Sequence, residues 1–197
     1  MIRVEKSDEP KEFDMECRRA GQAWLSNWQK ENPGKKPERP RDYWSPFKQE
    51  LATAFNFRCG FGAMWISSGT VDHFVSWNED KEMVLAYEWT NYRYVEGWIN
   101  SAKSKKASHN ILDPFDVQDD WFEIKLPSMQ LIITDKIPNE FKQKAIWTLK
   151  NLPICDDERI LRTRREWYRM YQDGELNLEG LKKKAPLIAK AVEKLAT

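Results

Sequence analysis

Phe13, Cys17, Ala20, Trp24 and Trp28 recur every three to four positions, the spacing of one apolar helix face, and predict a helix over 13–29. Asn32-Pro33-Gly34 ends it, because proline and glycine do not continue a helix. The stretch to Pro46 carries four prolines and alternating charge, which predicts an ordered or semi-extended loop. Phe47, Leu51, Ala54 and Phe55 then share one face, predicting a second helix over 47–55. Residues 58–66 are apolar and strand-like, with Gly60 and Gly62 marking a bend. After a turn at Ser67-Ser68-Gly69, 70–75 and 89–94 are β-prone, and 97–105 has helical composition.

Further on, 121–126 and 130–134 predict a hairpin across Pro127-Ser128. A helix over 138–149 turns Phe141, Ala145, Ile146 and Leu149 inward, and Asp156 caps another over 157–171. One or two closing helices span 176–195, interrupted at Pro186, and Arg3-Val4-Glu5 reads as a short strand or arm. There is no internal repeat and no long flexible linker. The expectation is an α+β chain in one compact unit: an N-terminal helical segment (1–56), a central strand-strand-helix core (57–115), and a hairpin with C-terminal helices (116–197).

Composition changes this picture little. Of 197 residues, 41% are hydrophobic and 32% charged, as in ordinary soluble globular proteins. No window approaches the ~20 apolar residues of a membrane span, and the start has no signal-peptide core. Three scattered cysteines point to a reduced, cytoplasmic setting and supply no CxxC pair. The net charge of +1 neither supports nor excludes a nucleic-acid partner, since basic groups at 35–41, 103–106 and 159–169 are balanced by acidic residues at 113–123. The arginines Arg159, Arg162, Arg165 and Arg169 fall on one helix face, which reads as solvated or, alternatively, as a contact to a DNA backbone.

The candidate chemistry lies between Val71 and Lys103. The Asp72 carboxylate and the Asn100 amide offer hard oxygen ligands for Mg²⁺ or Mn²⁺. His73, one of two histidines, can take a proton from water, and an ordinary imidazole value of ~6.5 predicts a rate rising across neutral pH. Alternation along a strand sends Asp72 and His73 to opposite faces, so a bend must bring both to one ion. Lys103, Lys105 and Lys106 follow and can contribute phosphate affinity that weakens with salt.

In order and spacing, Asp72-His73, Asn91 and Asn100 resemble the HNH (ββα-metal) nuclease motif, in the variant with asparagine at its third position. The resemblance implies a ββα-metal core embedded in a mainly helical single domain. It assigns Asp72 and Asn100 to the metal, His73 to catalysis as general base, and Asn91 to fixing the loop around the histidine. Asn100-Ser101-Ala102-Lys103 resembles the Asn-x-x-Lys signature that opens the final helix of many members. Cys59-Gly60-Phe61-Gly62 occupies the place of their zinc-binding cysteine pair, with Gly62 where the second cysteine would stand. No structural zinc is therefore expected, and packing of Trp65, Phe74, Trp89 and Trp98 is expected to replace it. Phe13-Asp14, Gly21-Gln22-Ala23-Trp24-Leu25 and Ala145-Ile146-Trp147-Thr148-Leu149 resemble small bacterial HNH proteins of anti-phage systems of the Septu or retron-associated kind. What this implies is a cytoplasmic, metal-dependent endonuclease hydrolysing phosphodiester bonds in DNA for antiviral defence, beside an ATPase or other defence-system protein. The alternative is a catalytically inactive HNH scaffold that binds nucleic acid or a partner.

Overall fold

A computed structural model describes residues 1–195, which mix helices with two small antiparallel sheets. The first helical stretch opens as a π-helical turn, Asp14–Arg19, and continues as α1, Ala20–Glu31. The wider turn shifts the buried face, so that Gly21 and Leu25 follow Phe13 and Cys17 inward, with Trp24 half-buried. Glycine is required at 21: a Cβ there would lie 2.4 Å from the ring of Tyr87.

The proline-rich segment forms no regular element, yet it is anchored. Pro37, Pro40 and Trp44 are buried, Lys36 Nζ donates to the carbonyls of Trp77 and Asp80, and Tyr87 Oη donates to Arg41 O at 3.1 Å. It leads through a 3₁₀ turn, Ser45–Phe47, into α2, Lys48–Ala54.

Residues 58–66 are not the expected strand. A single bridge joins Arg58 to Trp65, and the chain between them closes a tight loop through Cys59 N to Met64 O and Ala63 N to Cys59 O, both 2.9 Å. Ala63 sits at φ 57°, which extended pairing cannot contain.

β1, Thr70–His73, pairs antiparallel with β2, Tyr92–Val95, setting Asp72 opposite Arg93 and His73 opposite Tyr92. One residue later α3, Gly97–Lys103, begins and packs against β1. The second hairpin, β3 (Phe122–Lys125) and β4 (Gln130–Ile133), lies where the sequence predicts it.

α4, Asn139–Asn151, buries Ala145 but leaves Ile146 44% exposed. The inward place expected of Ile146 belongs to Thr148, whose Oγ1 accepts from Leu112 N at 2.8 Å. α5, Glu158–Gln172, is capped by Asp157 rather than Asp156, with its Oδ1 accepting from Arg159 N at 3.0 Å. Arg159, Arg162, Arg165 and Arg169 are exposed, and Arg159, Arg165 and Arg169 pair with nearby carboxylates, as a solvated face does. Arg164 instead is buried, donating to Met129 O, Ile154 O and Cys155 O at 2.8–3.2 Å, so it ties the second hairpin to α5. α6, Leu178–Lys184, and α7, Pro186–Leu195, close the chain, with the break at Pro186 as expected. One apolar core draws residues from Met1 to Ala189. Among the described residues, no helix is long and apolar enough to cross a membrane.

Candidate functional site

The 74–91 connection between β1 and β2 is shaped by one amide. Asn91 Oδ1 accepts from Val75 N at 2.8 Å, and its Nδ2 donates to Val75 O at 3.0 Å and to Leu85 O at 2.9 Å. These bonds hold the 3₁₀ turn Val84–Tyr87 beneath the end of β1. Asn91→Ala leaves three backbone groups without their partner and should lower unfolding stability by about 2–4 kcal/mol in urea titration. Asn78→Ala, at an exposed loop asparagine, should change it by less than about 0.5 kcal/mol.

The held turn presents Ala86 O to the histidine. His73 Nε2 lies 3.0 Å from that carbonyl, which also accepts from Tyr92 Oη at 2.7 Å. A carbonyl can only accept, so Nε2 carries the proton and Nδ1 keeps the lone pair. Among the described residues Nδ1 makes no hydrogen bond, and it is not one of the sealed, unpartnered atoms. Edge-on rings of Trp44, Tyr92 and Trp77, 4.5, 5.0 and 5.1 Å away, clamp the imidazole. Burial pushes His73 down to about 4, against the ordinary value assumed from sequence. The imidazole is thus neutral throughout the neutral range.

Asp72 is 3% exposed. Its Oδ1 accepts from Lys103 Nζ at 3.0 Å, while Oδ2 is sealed and has no hydrogen-bond partner. Burial raises the carboxyl above its usual range, opposed by the Lys103 charge. The same ammonium donates to His73 O at 2.9 Å and Phe74 O at 3.0 Å, so all three of its donors are used. Lys103 gathers these carbonyls where β1 ends; Asp72 and His73 keep regular strand pairing, without the expected bend between them, and both line one cleft.

That position corrects the phosphate role expected of Lys103: at 1% exposure, with every donor satisfied, it cannot reach a ligand. Lys106 is not among the residues lining the cleft, and its Nζ donates to Ala102 O near the end of α3. Lys105 does line the cleft. So does Asn100, whose Nδ2 donates to Thr70 Oγ1 at 2.9 Å and Val71 O at 3.4 Å, leaving its Oδ1 outside both bonds.

The cleft measures about 660 Å³, and Trp77 and Arg39 complete its walls. Neither was singled out from sequence: Trp77 stands four residues after His73, but only the path of the loop turns its ring onto the imidazole, and Arg39 comes from a distant segment. Among the described residues, no group of three or more His, Cys, Asp or Glu side chains gathers as a metal site. The donor set is instead one carboxylate with an orphaned buried oxygen and one amide oxygen. Oxygen donors of this kind suit a hard ion that keeps most of its water in preference to zinc, and Asp72 Oδ2, sealed here, reaches one only when uncovered.

Cys59 lies apart from this cleft. Its Sγ accepts from Gly62 N at 3.3 Å and Glu96 N at 3.4 Å, so backbone donors close the loop. Trp65 and Trp98 flank it as expected, joined by Ile160 of α5, with Arg159 over the Trp98 ring at 4.2 Å. Trp89 packs elsewhere, against Phe13 and Tyr92, and Phe74 lies beside Arg93 and Lys103. In comparisons with family models, curated proteins and solved structures, the chain matches none.

Proposed function

We propose that this chain is a metal-dependent endonuclease of the HNH (ββα-metal) type that hydrolyses phosphodiester bonds in DNA. The observation that carries the reading is the convergence of Asp72, His73 and Asn100 on one cleft, with the His73 tautomer fixed by a backbone carbonyl. Asp72 and Asn100 would hold Mg²⁺ or Mn²⁺, which supplies neutralisation of charge growing on the phosphate and the leaving oxygen. His73 Nδ1 takes the proton from the attacking water, while Nε2 stays donated to Ala86 O and steadies the imidazolium that results. Asn91 acts through that carbonyl, by holding the turn that presents it. Lys105 adds phosphate attraction that fades with salt. The proposed setting is a cytoplasmic anti-phage system in which the chain is the effector nuclease, beside an ATPase or other defence-system protein.

A second reading has its own support. Lys103 already meets the charge of Asp72, which suits a catalytically inactive scaffold that binds nucleic acid or a partner. The experiment is plasmid nicking with Mn²⁺ or Mg²⁺, then with excess EDTA. Nicking that needs the ion and returns on its restoration is expected. Nicking that persists in EDTA would overturn the metal assignment; no nicking with any divalent ion would favour the scaffold.

A further inference from the structure

One wall of the cleft belongs to neither β1 nor α3. Trp77 is half-buried there, with its indole near-parallel to that of the buried Trp44, 24° between planes and 6.3 Å between centroids. It meets the His73 imidazole edge-on at 5.1 Å, and the Arg39 guanidinium stands over the ring, 5.8 Å from its centre, where it can cap a base stacked there. Lys36 donates to its carbonyl, so the proline-rich segment braces the residue from the backbone side as well. A large flat ring, backed by a second and touching the proposed general base, is more than core filling needs at a cleft mouth.

We propose that Trp77 is a stacking platform for an unpaired nucleobase, and that the cleft takes single-stranded or locally unpaired DNA in preference to an intact duplex. The inference rests on the phosphodiesterase reading of the same cleft. Within a duplex both faces of a base are covered by its neighbours, and only edges are offered in the grooves. A base can lay its face on Trp77 only after leaving that stack. Because the indole touches the His73 ring, the stacked nucleotide is one that flanks the phosphate His73 would address. Arg39 and Lys105 line the same cleft and offer cations to the strand, with Glu38 and Asp72 the opposing charges. Aromatic stacking of this kind is indifferent to base identity, so it selects strandedness and not sequence.

The test uses the full chain with EDTA present, to hold back cleavage. Fluorescence anisotropy is read with a labelled single-stranded DNA oligonucleotide and with the same sequence as a duplex. The single strand is expected to bind about tenfold tighter, and Trp77→Leu to lose that advantage while duplex affinity stays unchanged. Trp77→Phe, which keeps a ring, should retain most of it and guards against misfolding as the cause. Equal affinity for both DNA forms, or an unchanged preference in Trp77→Leu, would overturn the platform. Trp77-dependent single-strand binding without ion-dependent nicking overturns the nuclease reading alone. Nicking without that preference overturns the platform alone.

Discussion

Replacing His73 with alanine should slow ion-dependent DNA cleavage by about 10²–10⁴-fold, the usual contribution of a positioned general base. Mn²⁺ affinity should hardly change, because the proposed ligands are Asp72 and Asn100. Extra Mn²⁺ should therefore fail to rescue this variant, while it partly rescues Asp72→Ala or Asn100→Ala. His109→Ala is the control: its side chain is 74% exposed and should leave the rate unchanged.

The pH dependence of the wild type follows from the buried imidazole, held near 4 against ~6.5 in the unfolded chain. The His73 contribution to the rate should stay level across neutral pH and fall only as the solution approaches pH 4. Stability behaves in the same direction. Between those two values the unfolded state binds the extra proton, so stability is complete above about 6.5 and drains away as pH falls, by about 3 kcal/mol in all. His73→Ala should lose this slope in denaturant titrations run from pH 7 to 4. A variant that cleaves as fast as wild type would end the base assignment, and an unchanged slope would end the account of the buried neutral ring.

Lys103→Met should cost about 3–5 kcal/mol of stability, because it strands a buried carboxylate and leaves two carbonyls without their donor. With the opposing ammonium gone, burial acts on Asp72 against the Arg93 charge only and drives its carboxyl further above the unfolded value. A carboxyl raised on folding contributes stability that is present at low pH and lost as pH rises. The variant should therefore recover part of its deficit in mild acid. Adding Asp72→Asn to Lys103→Met should also recover part of it at neutral pH, since no charge is then left unpaired. Urea titration of the two variants measures both effects. Wild-type stability in Lys103→Met would show that the pair carries no charge worth compensating.

Much of the molecule could be read from residue spacing. Helices over 13–29, 47–55, 157–171 and 176–195 were legible because each has an apolar face against one core, and 138–149 was legible in extent if not in facing. The strand-strand-helix order around Asp72, His73 and Asn100 was legible too, although 89–91, expected to be β-prone, forms a 3₁₀ turn and β2 begins only at Tyr92. What failed turned on depth and neighbours. The apolar run 58–66 suits a buried loop as well as a strand, and spacing cannot choose between them. Lys103 sits one helical turn after Asn100, on the same side of α3. Periodicity puts both toward the cleft, but only the close approach of α3 to β1 sinks the ammonium onto Asp72. The lowered basicity of His73 is not legible locally: Trp77 stands four residues on, but Trp44 and Tyr92, which complete its cover, come from separate segments.

The braced segment between α1 and α2 carries a consequence for how this chain tolerates change. With neither helix nor strand, 33–44 has the outward marks of a place where insertions and protease cuts are harmless. Its buried Pro37, Pro40 and Trp44, and the grip of Lys36 on the Trp77 and Asp80 carbonyls, make it instead a girdle drawn around the imidazole. A residue added there would spare every regular element and still slacken the ring that holds His73. Variation in the length of this girdle is therefore expected to alter the setting of His73 while the hairpins and helices stay intact.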